Sequence, residues 1–365
     1  MAQIPNITPS QIPAVLDYYW SVMANPFLWG DAGIGKSQVI EQWARAKAAE
    51  LDLDFHKASE PFEMVNPSKT FGFIDLRLST VDALDFRGAP ALNRETKTTE
   101  FYKPAMLPDA AINGEVGILV LDELPDASGM TLASASQLIL DRCVSNSYHL
   151  PDGWMICAAG NEGKGTSAKK IPSQLANRFG HLKVVPSVAD LVKHFNDLGS
   201  DGRVGAFLRL CGEGDDGLLH NWISKDQPAF CSPRTWAKAD QVLQNVDDPL
   251  MRENLIASFI GDGPARRFEG FLQMMSELTN WSSICADPHN ARVPDRTDAI
   301  YAMLGMASNK ITGETAEAAC VYISRMPKEF QALFALDVIN DKRKVDVVNT
   351  RDFSSLRLGL GDLVV

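Results

Sequence analysis

The sequence predicts an α/β fold, a three-layer sandwich with a central parallel sheet, followed by an all-α domain and an additional C-terminal helical segment. Three observations carry this. Strand-like apolar runs alternate with helical patterns as far as about residue 186, the pattern of a parallel sheet covered on both faces. A glycine-rich stretch, "GDAGIGKS" (30–37), lies between the first strong strand and a helix. Beyond residue 187 only helical patterns follow. The expected division is an α/β core over 1–186, a helical domain over 187–280 and a C-terminal helical extension over 281–365.

The chain opens with a helix-start signal in "ITPSQIPAVLDYYWSVM": Thr8 can cap, Pro9 suits the first helical position and Gln11 can reach back. "PFLWG" reads as a short strand running into the glycine-rich stretch. "KSQVIEQWARAKAAEL" then reads as a helix with Val39, Ile40, Trp43 and Ala46 at helical spacing. "FGFIDLRLS" (71–79) alternates like a strand. "GILVLDEL" (117–124) and "GWMICAAGNE" (153–162) are nearly continuous apolar runs, as expected of strands buried on both faces. "GMTLASASQLILDRCV" separates them as a helix, and "HLKVVP" (181–186) is a further strand, placed at the sheet's edge. Among the later helices, "DRTDAIYAMLGMASNK" aligns Ile300, Met303, Leu304 and Ala307. "PKEFQALFALDVI" aligns Phe330, Leu333, Phe334 and Val338.

Composition narrows the class. The 365 residues are 45 % hydrophobic and 22 % charged, an ordinary globular profile. No apolar run approaches the roughly 20 residues of a membrane-spanning helix, and the N-terminus lacks the layout of a signal peptide. The cytoplasm is the expected location. Six scattered cysteines with no C-x-x-C pair read as buried free thiols. His181 and His194 show no metal-ligand spacing and read as packing or surface residues. "GEGDDG" (212–217) lacks calcium-loop spacing and reads as a surface loop. A net charge of −11 argues against a broad nucleic-acid surface, and "AKKIPSQLANR" is the one notable basic patch near the glycine-rich stretch.

Five elements carry chemistry. Gly30-x-x-x-x-Gly35-Lys36-Ser37, with Asp31, Ala32, Gly33 and Ile34 between, fits the phosphate-binding loop of P-loop NTPases in full. Glycines let backbone N–H groups turn inward onto phosphate oxygens. Lys36 reaches the outer phosphates of ATP, the Ser37 hydroxyl ligates Mg2+, and the following helix points its positive end at the anion. Asp122 at the end of a buried strand would hold the magnesium from its outer shell, and Glu123 could polarise the attacking water. Asn161, also at a strand's carboxyl end, can orient that water. Arg178 in "QLANRFGH" could serve a neighbouring subunit's site as an arginine finger, with surface salt bridging as the alternative. Arg234 in "SPRTW" could touch the nucleotide from the helical domain, or be an exposed helix-start arginine with no such role.

In this order the elements resemble the AAA+ ATPases, and more narrowly their MoxR-like, dynein-related branch. The matching stretches are "GDAGIGKS", "VDALDFRGAP", "GILVLDEL", "CAAGNE", "LANRF" and "SPRTW", spread over residues 1 to about 280. The resemblance implies that Asp122 and Glu123 form the Walker B pair and that Asn161 is the first sensor. It makes Arg178 the trans-acting finger, Arg234 the second sensor and the helical domain a lid. "TVDALDFRGAP" with "ALNRETKTTEFYKPAML" resembles the hairpin this branch inserts after its second strand to engage clients. Ser37 stands where relatives often have threonine, which keeps the magnesium hydroxyl. Residues from about 281 onward resemble no named family.

By that resemblance the chain is an ATP-hydrolysing remodelling machine, a homo-oligomer expected to be a hexameric ring. It would act as a chaperone-like activator of a partner complex, with a von Willebrand factor A-domain protein as a partner the resemblance suggests. A nucleic-acid motor or loader is a second reading; the acidic balance and the lack of a helix-turn-helix or winged-helix reader oppose it. A nucleotide-gated scaffold without turnover is a third, and Glu123 opposes it, because a pure switch needs no base.

Overall fold

A computed structural model describes residues 4–58, 66–145, 147–161, 171–212, 217–220 and 228–364. The middle of "GEGDDG" and the lysines of "AKKIPSQ" lie outside these residues. The chain divides into two compact units, Met1–Val185 and Pro186–Val365.

The first unit is built on a parallel sheet. In chain order its elements are β1 (Asn6–Ile7), α1 (Ile12–Ser21), β2 (Pro26–Trp29), α2 (Lys36–Glu50), β3 (Asp54–Lys57), β4 (Thr70–Arg77), α3 (Ala83–Arg87), β5 (Pro90–Asn93) and β6 (Thr98–Phe101). They continue with α4 (Ala110–Asn113), β7 (Val116–Asp122), α5 (Gly129–Asp141), β8 (Cys143–Val144), β9 (Tyr148–His149), β10 (Gly153–Gly160), α6 (Ser173–Ala176) and β11 (Gly180–Val184). Among the described residues seven strands form the sheet, in the order β1-β11-β2-β10-β7-β4-β3, all parallel. Its inner five run 5-1-4-3-2 when numbered along the chain. This is the expected P-loop NTPase architecture, a central parallel sheet with helical layers followed by a helical region.

β7 shows why the middle strands read as unbroken apolar runs. Ile118 and Val120 enter the core under α1 and α2, with Ile12, Leu16, Ile40 and Trp43. Leu119 and Leu121 enter the opposite core under α5, with Leu132, Ala135 and Leu138. Gly72 and Gly117 face each other across β4 and β7. A Cβ at Gly72 would stand 2.4 Å from the Trp154 ring, and one at Gly117 2.8 Å from it, so both positions exclude a side chain. The buried Trp154 indole donates to the Gly114 carbonyl at 3.0 Å.

Several expectations need correction. β11 is not the edge strand, because β1 pairs with it at Asn6↔Lys183 and Ile7↔Val184. β1, β3 and the β8–β9 hairpin add to the strands expected. On α2 the buried face is Ile40, Trp43, Ala44 and Lys47, whereas Ala46 is exposed. Lys47 replaces it inside because Asp17 of α1 accepts its ammonium at 2.7 Å. The Thr8 N–H bonds Gln11 as expected, at 2.9 Å, but the first turn is 3-10. An antiparallel hairpin, β5–β6, follows the second core strand, where the resemblance expected one.

The second unit is helical: α7 (Val188–Asp197), α8 (Arg203–Cys211), α9 (Pro233–Asn245), α10 (Pro249–Ile260), α11 (Asp262–Ser276), α12 (Trp281–Ala286), α13 (Thr297–Lys310), α14 (Ala316–Ile323), α15 (Lys328–Asn340), α16 (Val345–Val348) and α17 (Arg351–Leu358). One core gathers around Phe207, Trp236 and Phe268, and a second around Met303, Tyr322, Phe334 and Phe353. α13 feeds both, with Ala302 in the first and Met303 in the second. On α15 the deep face is Gln331, Phe334, Ala335, Asp337 and Val338; Phe330 and Leu333 are only half-buried. Asp337 is tolerated there because the Arg209 guanidinium of α8 donates two parallel hydrogen bonds to it. Cys143, Cys157, Cys231 and Cys320 are buried free thiols, while Cys211 and Cys285 are half-buried. No described helix is long and apolar enough to cross a membrane.

Candidate functional site: a phosphate loop at the carboxyl ends of the strands

β2 ends at Trp29 and the chain turns through Gly30–Gly35 into α2. Gly30, Gly33 and Gly35 have φ of 155°, 83° and 99°, values at which a side chain is strained. A Cβ at Gly30 would also stand 2.7 Å from the Val184 carbonyl. Ile34 faces inward and anchors the loop in the α1–α2 core, so the backbone around it faces out. A Cβ at Gly35 would meet nothing within 4 Å. The loop's last turn therefore borders open space at the amino end of α2, the end of a helix that favours an anion.

Lys36 is 7 % exposed. Its ammonium donates to the carbonyls of Gly30 (2.7 Å) and Asp31 (3.0 Å) and to Asn161 Oδ1 (3.3 Å). The loop is thus cross-linked to the end of β10, and Gly30 N–H reinforces the link by donating to the Gly160 carbonyl at 3.2 Å. The Ser37 hydroxyl donates to Asp122 Oδ2 at 2.9 Å. Lys36, Ser37, Asp122, Glu123 and Asn161 meet at one end of the sheet, because β2, β7 and β10 are parallel and end together.

Glu123 has a left-handed backbone, φ 55° and ψ 33°, which glycine or asparagine adopts more readily. The turn aims its carboxylate at the end of β4. There Ser79 donates its hydroxyl to Oε2, and Arg77 Nε stands 3.4 Å from Oε1. Ser79 and Arg77 were not among the residues expected at the site. Their part depends on β4 lying beside β7, with Arg77 opposite Asp122, and no local pattern encodes that register. Asp75, on the same strand, is also new to the site. Its side chain is exposed, yet desolvation by the protein around it and the nearby Asp122 charge together push the carboxyl up to about 6.

The donor set fits ATP and magnesium: a left-handed glycine loop opening on free space, a buried ammonium, and a hydroxyl already paired with a carboxylate. Arg178 belongs to a different place. Gly180 pairs with Pro26 at the start of β2, so Arg178 lies about 10 Å of strand from the loop, at the sheet's opposite end. It is exposed and makes no side-chain hydrogen bond or ion pair among the described residues. Arg234 is exposed in the first turn of α9, where Ser232 and Thr235 cap the helix. His181 is bonded through both ring nitrogens, to Trp29 and to the Ala176 carbonyl.

No family model matches the chain, and no curated protein does. Among solved structures it is similar to a protein from Cytophaga hutchinsonii described as a candidate ATPase. Identity there is 11 %, the match covers 90 % of this chain and 81 % of that one, and the TM-score is 0.34. It is similar to NtrX from Brucella abortus in complex with ADP, at 15 % identity over 98 % and 68 % of the two chains, with a TM-score of 0.32. It is also similar to a RuvB mutant from Thermotoga maritima, at 15 % identity over 76 % and 74 %, with a TM-score of 0.36. Likenesses of this size carry no argument about family or function, and the functional conclusion rests on the chain's own residues.

Proposed function

We propose that this chain is an AAA+-type ATPase that hydrolyses ATP with Mg2+ in a ring of identical subunits and spends the energy on remodelling a partner protein complex. The observation that carries the reading is the paired contact Ser37–Asp122 and Lys36–Asn161 at one end of the sheet. A chain that only needed a tight turn would gain nothing from burying an ammonium beside an amide and a carboxylate-bound hydroxyl.

When bound, the magnesium nucleotide would supply the reactive phosphoanhydride and a metal charge that offsets the negative charge developing on the leaving ADP. The chain's residues do the rest. Lys36 would hold the outer phosphates, and Ser37 and Asp122 would hold the metal. Asn161, released by Lys36, orients the water. Glu123 accepts its proton once freed from Ser79 and Arg77. Arg178, exposed at the far end of the strands, serves a neighbouring subunit, and the sequence resemblance makes Arg234 the second sensor of the nucleotide. A von Willebrand factor A-domain protein is the partner suggested by the sequence resemblance alone.

Glu123→Gln tests the reading. ATP should bind with parent affinity by calorimetry, while hydrolysis falls by about two orders of magnitude. Hydrolysis at the parent rate removes Glu123 as the base. Strong stimulation of turnover by DNA would instead favour the nucleic-acid reading.

A further inference from the structure

Between the phosphate loop and Arg178 lies a side-chain link that the proposed chemistry does not use. Trp29 is the last residue of β2, directly before Gly30. Its indole Nε1–H donates to His181 Nδ1 at 2.8 Å. An indole N–H can only donate, so His181 Nδ1 accepts and the ring's proton sits on Nε2. That Nε2–H is 2.9 Å from the Ala176 carbonyl. The same carbonyl accepts the Phe179 N–H at 3.2 Å, closing the turn 176–179 that carries Arg178.

The imidazole is held in plane by its neighbours. The Phe27 ring lies 5.5 Å from it and the Trp29 ring 6.0 Å at a 25° tilt. Phe179 packs edge-on at 6.4 Å. Phe179 is itself buried, and Gly180 N–H donates to the Asn25 carbonyl at 3.0 Å, so the turn's exit is fixed as well. Arg178 thus projects from a four-residue turn whose first carbonyl is pinned by a histidine, and that histidine is pinned by the residue preceding the loop.

We propose that His181 is a positioning residue for Arg178, tying the turn that presents this arginine to the strand end that carries the phosphate loop. The proposal rests on the trans role of Arg178 given above. A long, exposed arginine reaches a neighbour's site usefully only if its backbone turn is fixed. A misplacement of about 1 Å costs on the order of a hundredfold in rate. The link also gives the loop a route to its own subunit's finger: a shift of Trp29 moves the acceptor geometry at Nδ1 and, through the rigid ring, the donor at Ala176.

The test separates donor from acceptor subunits. Arg178→Ala subunits keep an intact loop and need an arginine from next door. Lys36→Ala subunits have a dead loop and can lend theirs. Mixing the two, with mixed assemblies confirmed by native mass spectrometry, should restore ATP hydrolysis. The lending subunit is then made in three further forms, with His181→Phe, His181→Gln or His181→Asn added to Lys36→Ala. The phenyl ring keeps the stacking and loses both hydrogen bonds. The Gln amide overlays Nε2 and keeps the bond to Ala176; the Asn amide overlays Nδ1 and keeps only the bond from Trp29.

The Phe form should restore about a hundredfold less turnover than the His181 lender, with kcat lowered and KM for ATP unchanged. The Gln form should come close to the His181 lender and the Asn form should resemble Phe. Full restoration by the Phe form overturns the positioning role while leaving the trans arginine standing. If the Phe form does not assemble, equal restoration by Gln and Asn overturns it just as well. No restoration by the Lys36→Ala lender with His181 intact overturns the trans arginine itself, and the positioning role with it.

Discussion

The Ser37 hydroxyl donates to Asp122 Oδ2 at 2.9 Å, although 85 residues separate them. The pair ties the first turn of α2 to the end of β7 and sets a hydroxyl oxygen beside a carboxylate, a hard donor set suited to Mg2+. Ser37→Ala should therefore weaken ATP binding in Mg2+ and leave binding in EDTA unchanged. Ser37→Thr, which keeps the hydroxyl, should behave as the parent in both. Equal weakening of Ser37→Ala binding with and without the metal, by calorimetry, would place the hydroxyl on the phosphates instead.

Lys36→Ala should lower ATP affinity by about 10- to 100-fold or more, the scale of a lost charge-assisted hydrogen bond at a buried site. The variant also leaves Gly30 O, Asp31 O and Asn161 Oδ1 without the donor they share. Amide exchange around residues 30–36 should accelerate accordingly. Parent affinity in a folded Lys36→Ala protein would rule out the loop chemistry.

Ser79→Ala removes one of the two groups that hold the Glu123 carboxylate toward β4. Basal hydrolysis should rise by about 2- to 10-fold, the scale of one net hydrogen bond, with KM for ATP unchanged. A fall in kcat at constant KM would show that Ser79 aims Glu123 productively rather than restraining it.

Asp75 makes stability depend on pH. Partial desolvation of this exposed side chain and the Asp122 charge push its carboxyl up to about 6, so the folded chain holds the proton more tightly than the unfolded chain. The stability it contributes is present below about pH 4, the unfolded value. It is lost as pH rises through about 6. The side chain remains partly open to solvent, and screening limits the effect to about 1 kcal/mol. Asp75→Asn should therefore raise the melting temperature of the nucleotide-free protein by about 2–4 °C at pH 7.5 and leave it unchanged at pH 4. The same rise at both values would trace the gain to packing.

The glycine-rich loop was legible in the sequence because its requirements are local: glycines for positive-φ backbone, then Lys36, Ser37 and a helix start. β7 and β10 were legible because a strand buried on both faces is apolar throughout. β3 was missed because "DFHK" is polar and pairs on one side only, and β1 because two residues make no pattern. The edge position given to β11 failed for that reason. Helical spacing points to Ala46 and not to Lys47, because it cannot see Asp17, on another helix, that makes a buried ammonium acceptable. Ser79 and Arg77 were invisible for the same cause, since only the pairing of β4 with β7 brings them to Glu123.

The left-handed backbone at Glu123 sets two kinds of fitness against each other. A library at position 123 sorted for resistance to heat should enrich glycine and asparagine, which occupy that backbone at little cost. Sorted for turnover, the same library should return glutamate. A glutamate in such a turn costs about 1 kcal/mol of folding free energy, a loss that selection for thermal endurance alone would remove within a single codon.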